Sequence, residues 1–69
     1  MSSYQYNVYG VDWRYLGCFW SGNPYLKNAA VVGDYMKLHY SGTVLNKQDK
    51  EVHVNEMCYI KWMEYREFA

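Results

Sequence analysis

Cys18, Cys58, His39, His53 and the carboxylates are the side chains whose types could support nucleophilic or metal chemistry in this chain. A Cys–His pair would set a thiol beside a general base. Cys58 sits on the even parity of an alternating run, whereas His39 and His53 sit on the odd one. On paired strands the thiol and both imidazoles therefore face opposite sides. Zinc sites need closely spaced ligands, such as C-x2-C or H-x3-5-H, and no such pair occurs. The carboxylates gather in "KQDKE" and "EYRE", a pattern of solvated surface, and the five glycines stand singly rather than in a phosphate-cradling loop. No catalytic residue, cofactor-binding residue or metal ligand is assigned, and no enzymatic activity is expected.

What the chain holds in quantity is aromatic surface: nine Tyr, three Trp and two Phe in 69 residues. The stretch "YQYNVYGVDWRYLGCFW", residues 4–20, carries seven of these rings and only two charged side chains, Asp12 and Arg14. Aliphatic residues are scarce, at seven Val, four Leu and one Ile, so rings must fill part of the core. Each ring can bury roughly 150–250 Å². Buried hydroxyl tips need hydrogen-bond partners, and nine tyrosine hydroxyls exceed what so small a core can satisfy. Surplus rings are expected at the surface, where Tyr and Trp are enriched in binding hot spots. Strand parity assigns Tyr4, Tyr6, Trp13 and Tyr15 to the core. Tyr9, Trp20, Tyr25 and Tyr35 form the candidate partner-binding surface.

Positioning these rings requires strands. Tyr4, Tyr6 and Val8 alternate with Gln5, Asn7 and Tyr9, which predicts a first strand. Gly10 interrupts, and Val11, Trp13 and Tyr15 resume the alternation, so a second strand offset by a bulge or bend at Gly10 is expected. A short helix capped by Asp12 is the competing reading of residues 12–20. In "SGNPYLKNAAVVGD" Asn23 is a preferred N-cap, Pro24 suits the first helical position and Gly33 suits a left-handed stop, which predicts a helix over 24–32. Period two returns in Met36, Leu38 and Tyr40, and again in Val52, Val54, Cys58, Ile60 and Trp62. With the polar loop "NKQDK" between them, residues 34–45 and 51–62 predict a β-hairpin. Ser41-Gly42 is a place for it to kink, and the tail "MEYREFA" is expected to add a helical turn or stay loose. The fold class expected is α+β, an antiparallel sheet of three to four strands with one short helix packed on it. A small open β-barrel is the alternative.

Within this hairpin, "VGDYMKLHYSGTVLN" resembles the "GD-x-V-x-V-H-Y-T-G-x-L" strand of the immunophilin-type prolyl isomerases. The resemblance implies a ligand-pocket role for Tyr40. It covers about a dozen of the 69 residues. Nothing after it matches the aspartate, the valine–isoleucine pair or the tryptophan floor of that pocket.

Size and charge narrow the function classes. A chain of 69 residues is a single small domain, burying about 60% of its unfolded surface. Seven Lys and Arg balance seven Asp and Glu, which disfavours nucleic acid as a direct ligand, because phosphate neutralisation usually leaves a basic footprint. No run approaches the ~20 apolar residues that cross a bilayer. Met1 is not followed by a hydrophobic leader, so a cytoplasmic location with reduced Cys18 and Cys58 is expected. These features together describe a small non-enzymatic protein-binding module. The expected type is an inhibitor or adaptor of the kind phages and mobile elements encode, blocking a host or defence protein through an aromatic-rich surface. A homodimer fits the same features. The alternative is a nucleotide or small-ligand binder that stacks its ligand on Tyr and Trp. No cofactor is implied.

Overall fold

The structure, a computed structural model, describes residues 2–22 and 30–67. Five antiparallel strands make one sheet: β1 (Ser2–Gly10), β2 (Tyr15–Ser21), β3 (Ala30–Val32), β4 (Tyr35–Leu45) and β5 (Glu51–Glu67). Their order across the sheet is β2-β1-β5-β4-β3. A further pairing of Cys18 with Leu45 draws β2 against the end of β4. The sheet thereby curls into a partly closed barrel.

The α+β expectation is overturned. No helix occurs among the described residues, and Ala30–Val32, the end of the predicted helix, pairs with Lys37, Met36 and Tyr35 as β3. Val31 and Val32 are β-branched and favour extended backbone, and the open edge of β4 offers them a hydrogen-bonding partner. Residues 24–29 of that expected helix lie outside the described residues. The tail differs as well: residues 63–67 continue β5, and Ser2, Ser3, Tyr4 and Gln5 pair with Glu67, Arg66, Tyr65 and Glu64.

The β4–β5 hairpin forms as its period-two pattern predicts. Met36 lies opposite Ile60, Leu38 opposite Cys58 and Val44 opposite Val52. Its inner face and that of β1 supply the core, made of Tyr6, Val8, Val44, Val54, Cys58 and Ile60. Tyr4, Leu16, Phe19, Met36, Leu38 and Tyr40 pack around it. Rings do stand in for aliphatics: Phe19 stacks on Tyr6 at 5.3 Å on one side and on Tyr40 at 4.9 Å on the other. Among the described residues no buried side-chain nitrogen or oxygen lacks a hydrogen-bond partner, the fully buried Tyr6 included. Cys58 is also buried, and its thiol donates to the Glu56 carbonyl at 3.3 Å. Burial, followed by the nearby Glu56 carboxylate, pushes that thiol's pKa up. Both cysteines are free.

Closure depends on Gly17. Its φ of 154° lies where side-chain-bearing residues are strained, and a Cβ there would sit 2.6 Å from Val44 Cγ2 and 2.7 Å from the Leu45 carbonyl oxygen. Only a residue without a side chain lets β2 approach β4 this closely. Gly33 supplies a control, since its φ is 61° but a Cβ would meet nothing within 4 Å. Gly33→Ala should therefore cost about 1 kcal/mol in urea denaturation, from backbone strain alone. Gly17→Ala should cost at least about 2–3 kcal/mol, because overpacking adds to strain. Equal losses at the two positions would show that the seam is not a close contact.

Candidate functional site

Chain reversal between β1 and β2 is tight, and it sets what the outer face displays. Gly10 N–H donates to the Arg14 carbonyl and Trp13 N–H to the Gly10 carbonyl, both at 2.9 Å. Asp12 Oδ1 accepts Arg14 N–H at 3.1 Å, an Asx-type turn bond. These bonds hold Trp13 at φ 64°, an uncommon conformation for a bulky residue. Where a bulge or bend is expected at Gly10 the chain makes a full turn, and the second strand starts at Tyr15 rather than at Val11. The irregularity falls instead at Leu16, because Val8 pairs with Gly17 while Tyr9 pairs with Tyr15.

Register then builds a row across four strands: Tyr15 on β2 faces Tyr9 on β1, Tyr9 faces Tyr59 on β5, and Tyr59 faces Lys37 on β4. Over this row lies Trp13. Its indole stacks on Tyr59 at 4.1 Å with an interplanar angle of 4°, and it meets Tyr35 edge-on at 4.6 Å. Tyr9 makes ring contacts with Trp13 at 6.3 Å, Tyr15 at 5.5 Å and Tyr35 at 5.8 Å. Five rings form one tile on the outer face. Trp13 remains 48% exposed at its centre. A left-handed non-glycine residue costs about 1–3 kcal/mol, and each aromatic pair contributes about 0.5–1.5 kcal/mol beyond burial. The three pairs of Trp13 are of the size needed to hold that strain.

Lysines frame the tile. Lys61 Nζ lies 5.2 Å from the Tyr35 ring centroid, Lys47 Nζ 5.7 Å from Tyr15 and Lys37 Nζ 6.0 Å from Tyr59. Beside the tile, a shallow depression is lined by Gln5, Asn7, Tyr9, Tyr15 and Lys47. Burial raises the Tyr15 pKa, with the adjacent Cys18 thiol as the next cause.

Of the sequence-assigned contact residues, Tyr9 and Tyr35 are in the tile, both half-buried. Trp20 is 42% exposed and pairs with Gln5, four residues along β1 from Tyr9, so it stands about 13 Å from the tile. Tyr25 lies outside the described residues. Trp13 and Tyr15, assigned to the core, belong to the outer face instead, because the turn after Gly10 keeps them on the side of Tyr9 and the exchange of faces comes only at Leu16. Tyr4 and Tyr6 do pack inward. Sequence reasoning missed Trp13, Tyr15, Tyr59 and the three lysines. For Tyr59 the signal was present, since it shares the polar parity of Lys61 and His53.

The remaining chemistry is dispersed. His39 pairs with Met57 and His53 with Thr43, which separates the imidazoles by roughly 13 Å along the hairpin. Cys58 points into the core, away from both. Among the described residues no three His, Cys, Asp or Glu side chains group as metal ligands. Comparison with protein-family models, with curated proteins and with solved structures finds no match.

Substitutions at Trp13 separate strain from contact. Trp13→Ala keeps the strained φ and loses the rings' contacts, whereas Trp13→Gly loses the contacts but relieves the strain. Denaturation should find the Gly variant within about 1 kcal/mol of the parent and the Ala variant about 1–2 kcal/mol below the Gly variant. Losses of about 3–5 kcal/mol in both would mark Trp13 as a core ring instead.

Proposed function

We propose that this protein is a non-enzymatic binding module that docks another protein through the aromatic tile, in the manner of a small inhibitor or adaptor. The observation that carries this is the half-exposed Trp13 held in a strained conformation on a bed of tyrosines. Strained residues concentrate where they serve function, and a hydrophobic ring left in water gains most when a partner covers it. Tyr and Trp dominate hot spots because they offer large rigid area at little entropic cost.

A stacking site for a nucleotide fits less well. Separate ring faces are needed to receive bases, and here Trp13 and Tyr59 stack flat on each other. The rings present a closed, continuous patch, which suits a partner of matching shape.

The test is affinity capture from the native host with the full chain, followed by affinity measurement on the protein identified. Trp13→Gly and Tyr59→Ala should each weaken that complex by about 1–4 kcal/mol, the former while changing melting behaviour little. Trp20→Ala, remote from the tile, should leave it unchanged. Full affinity in both tile variants would refute the proposal.

A further inference from the structure

We infer that the tile receives an extended acidic segment of its partner, laid across the strands with carboxylates at both ends of the aromatic row. This rests on the tile being the contact face and goes further by naming what it contacts. At one end of the row stand Lys37 and Lys61, at the other Lys47. Arg14 and Lys47 also share a second depression with Tyr15, Asn46 and Gln48. On β5 and β4, the outer-parity charged residues beside Asn7 and Tyr9 are Lys61 and Lys37, while Glu51 joins the Asn7 row from the other side, through Cys18 and Leu45. Asp12, in the turn that carries Trp13, is directed to the Arg14 amide.

The chain is neutral as a whole, yet the charged groups set against the rings of the tile are lysines. Glu56 lies on the opposite parity of β5, paired with Tyr40, and Glu51 pairs with Leu45, eight residues along β4 from Lys37. Cations around a desolvated ring patch favour an anionic occupant and speed its approach. Lys37 on β4 and Tyr15 on β2 are separated by three strand spacings, roughly 14 Å. An extended segment covers that distance in about four residues. Two acidic side chains four positions apart, with apolar residues between them to cover Trp13 and Tyr59, match the row.

Nuclear magnetic resonance on the ¹⁵N-labelled full chain tests this with defined probes. The first is a capped peptide of sequence Gly-Glu-Leu-Tyr-Leu-Glu-Gly, and the second is the same peptide with Gln for both Glu. The third is an eight-nucleotide oligothymidylate. The Glu peptide should shift the Trp13 indole and the amides of Tyr9 and Tyr59, and the Gln peptide should bind about three- to tenfold more weakly. In the triple variant Lys37→Gln, Lys47→Gln, Lys61→Gln that difference should fall to less than about twofold. Equal binding of the two peptides on the tile would overturn the acidic segment while leaving the contact face standing. Absence of any shift at Trp13 with either peptide would overturn both. Tighter binding of the oligonucleotide than of the Glu peptide would assign the face to nucleic acid and overturn the inference.

Discussion

Two backbone bonds of 2.9 Å, Gly10 N–H to the Arg14 carbonyl and Trp13 N–H to the Gly10 carbonyl, reverse the chain within five residues. Everything on the outer face follows from where that reversal falls. It sets Tyr9 opposite Tyr15, puts Tyr6 opposite Phe19 in the core, and leaves Trp13 in the left-handed region, over Tyr59. A one-residue change in its position would exchange the two faces of β2. Asp12, accepting the Arg14 amide, fixes that position from within the turn.

A chain with few aliphatic residues then faces a packing problem, and it meets it with rings of two kinds. Tyr6, Phe19 and Tyr40 stack through the interior. Burial raises the Tyr40 pKa, and its hydroxyl reaches the Thr43 carbonyl at 3.4 Å. The outer rings Tyr9, Tyr15, Tyr35 and Tyr59 are only half-buried. Gly17 allows β2 to close on Val44 and Leu45, and the same closure brings the β4–β5 turn, with Lys47, beside Tyr15. Core closure and the charge at one end of the tile are therefore linked through one glycine.

The β4–β5 hairpin was legible in the sequence because its signal is local: Met36, Leu38 and Tyr40, and then Val52, Val54, Cys58 and Ile60, alternate in register with a polar loop between them. The caps at Asn23, Pro24 and Gly33 are also local signals. They could not register that Val31 and Val32 would find the edge of β4, a contact set by tertiary structure. Gly10 suits a bulge and a turn equally well, and Asp12 decides between them only through a bond to a backbone amide two residues on. A strand that resumes at Val11 with its faces exchanged turns Trp13 and Tyr15 inward, whereas the turn leaves both on the side of Tyr9. Tyr9 and Tyr35 were placed on the outer face from alternation alone. The lysine frame was not legible, because Lys47 reaches Tyr15 through the β2–β4 seam and composition reports only zero net charge. The short likeness of residues 32–46 to a prolyl isomerase strand reflects shared strand grammar, and Tyr40 here packs on Phe19.

Trp13 on the outer face is the claim from which the contact surface and its charge both follow. Nuclear Overhauser contacts of the Trp13 indole in solution test it most directly. The account predicts strong contacts between the indole protons and the Tyr59 and Tyr35 rings, with ring-current shifts on Tyr59. Contacts from the indole to Val8, Ile60 or Tyr6 instead would place Trp13 in the core and contradict the account.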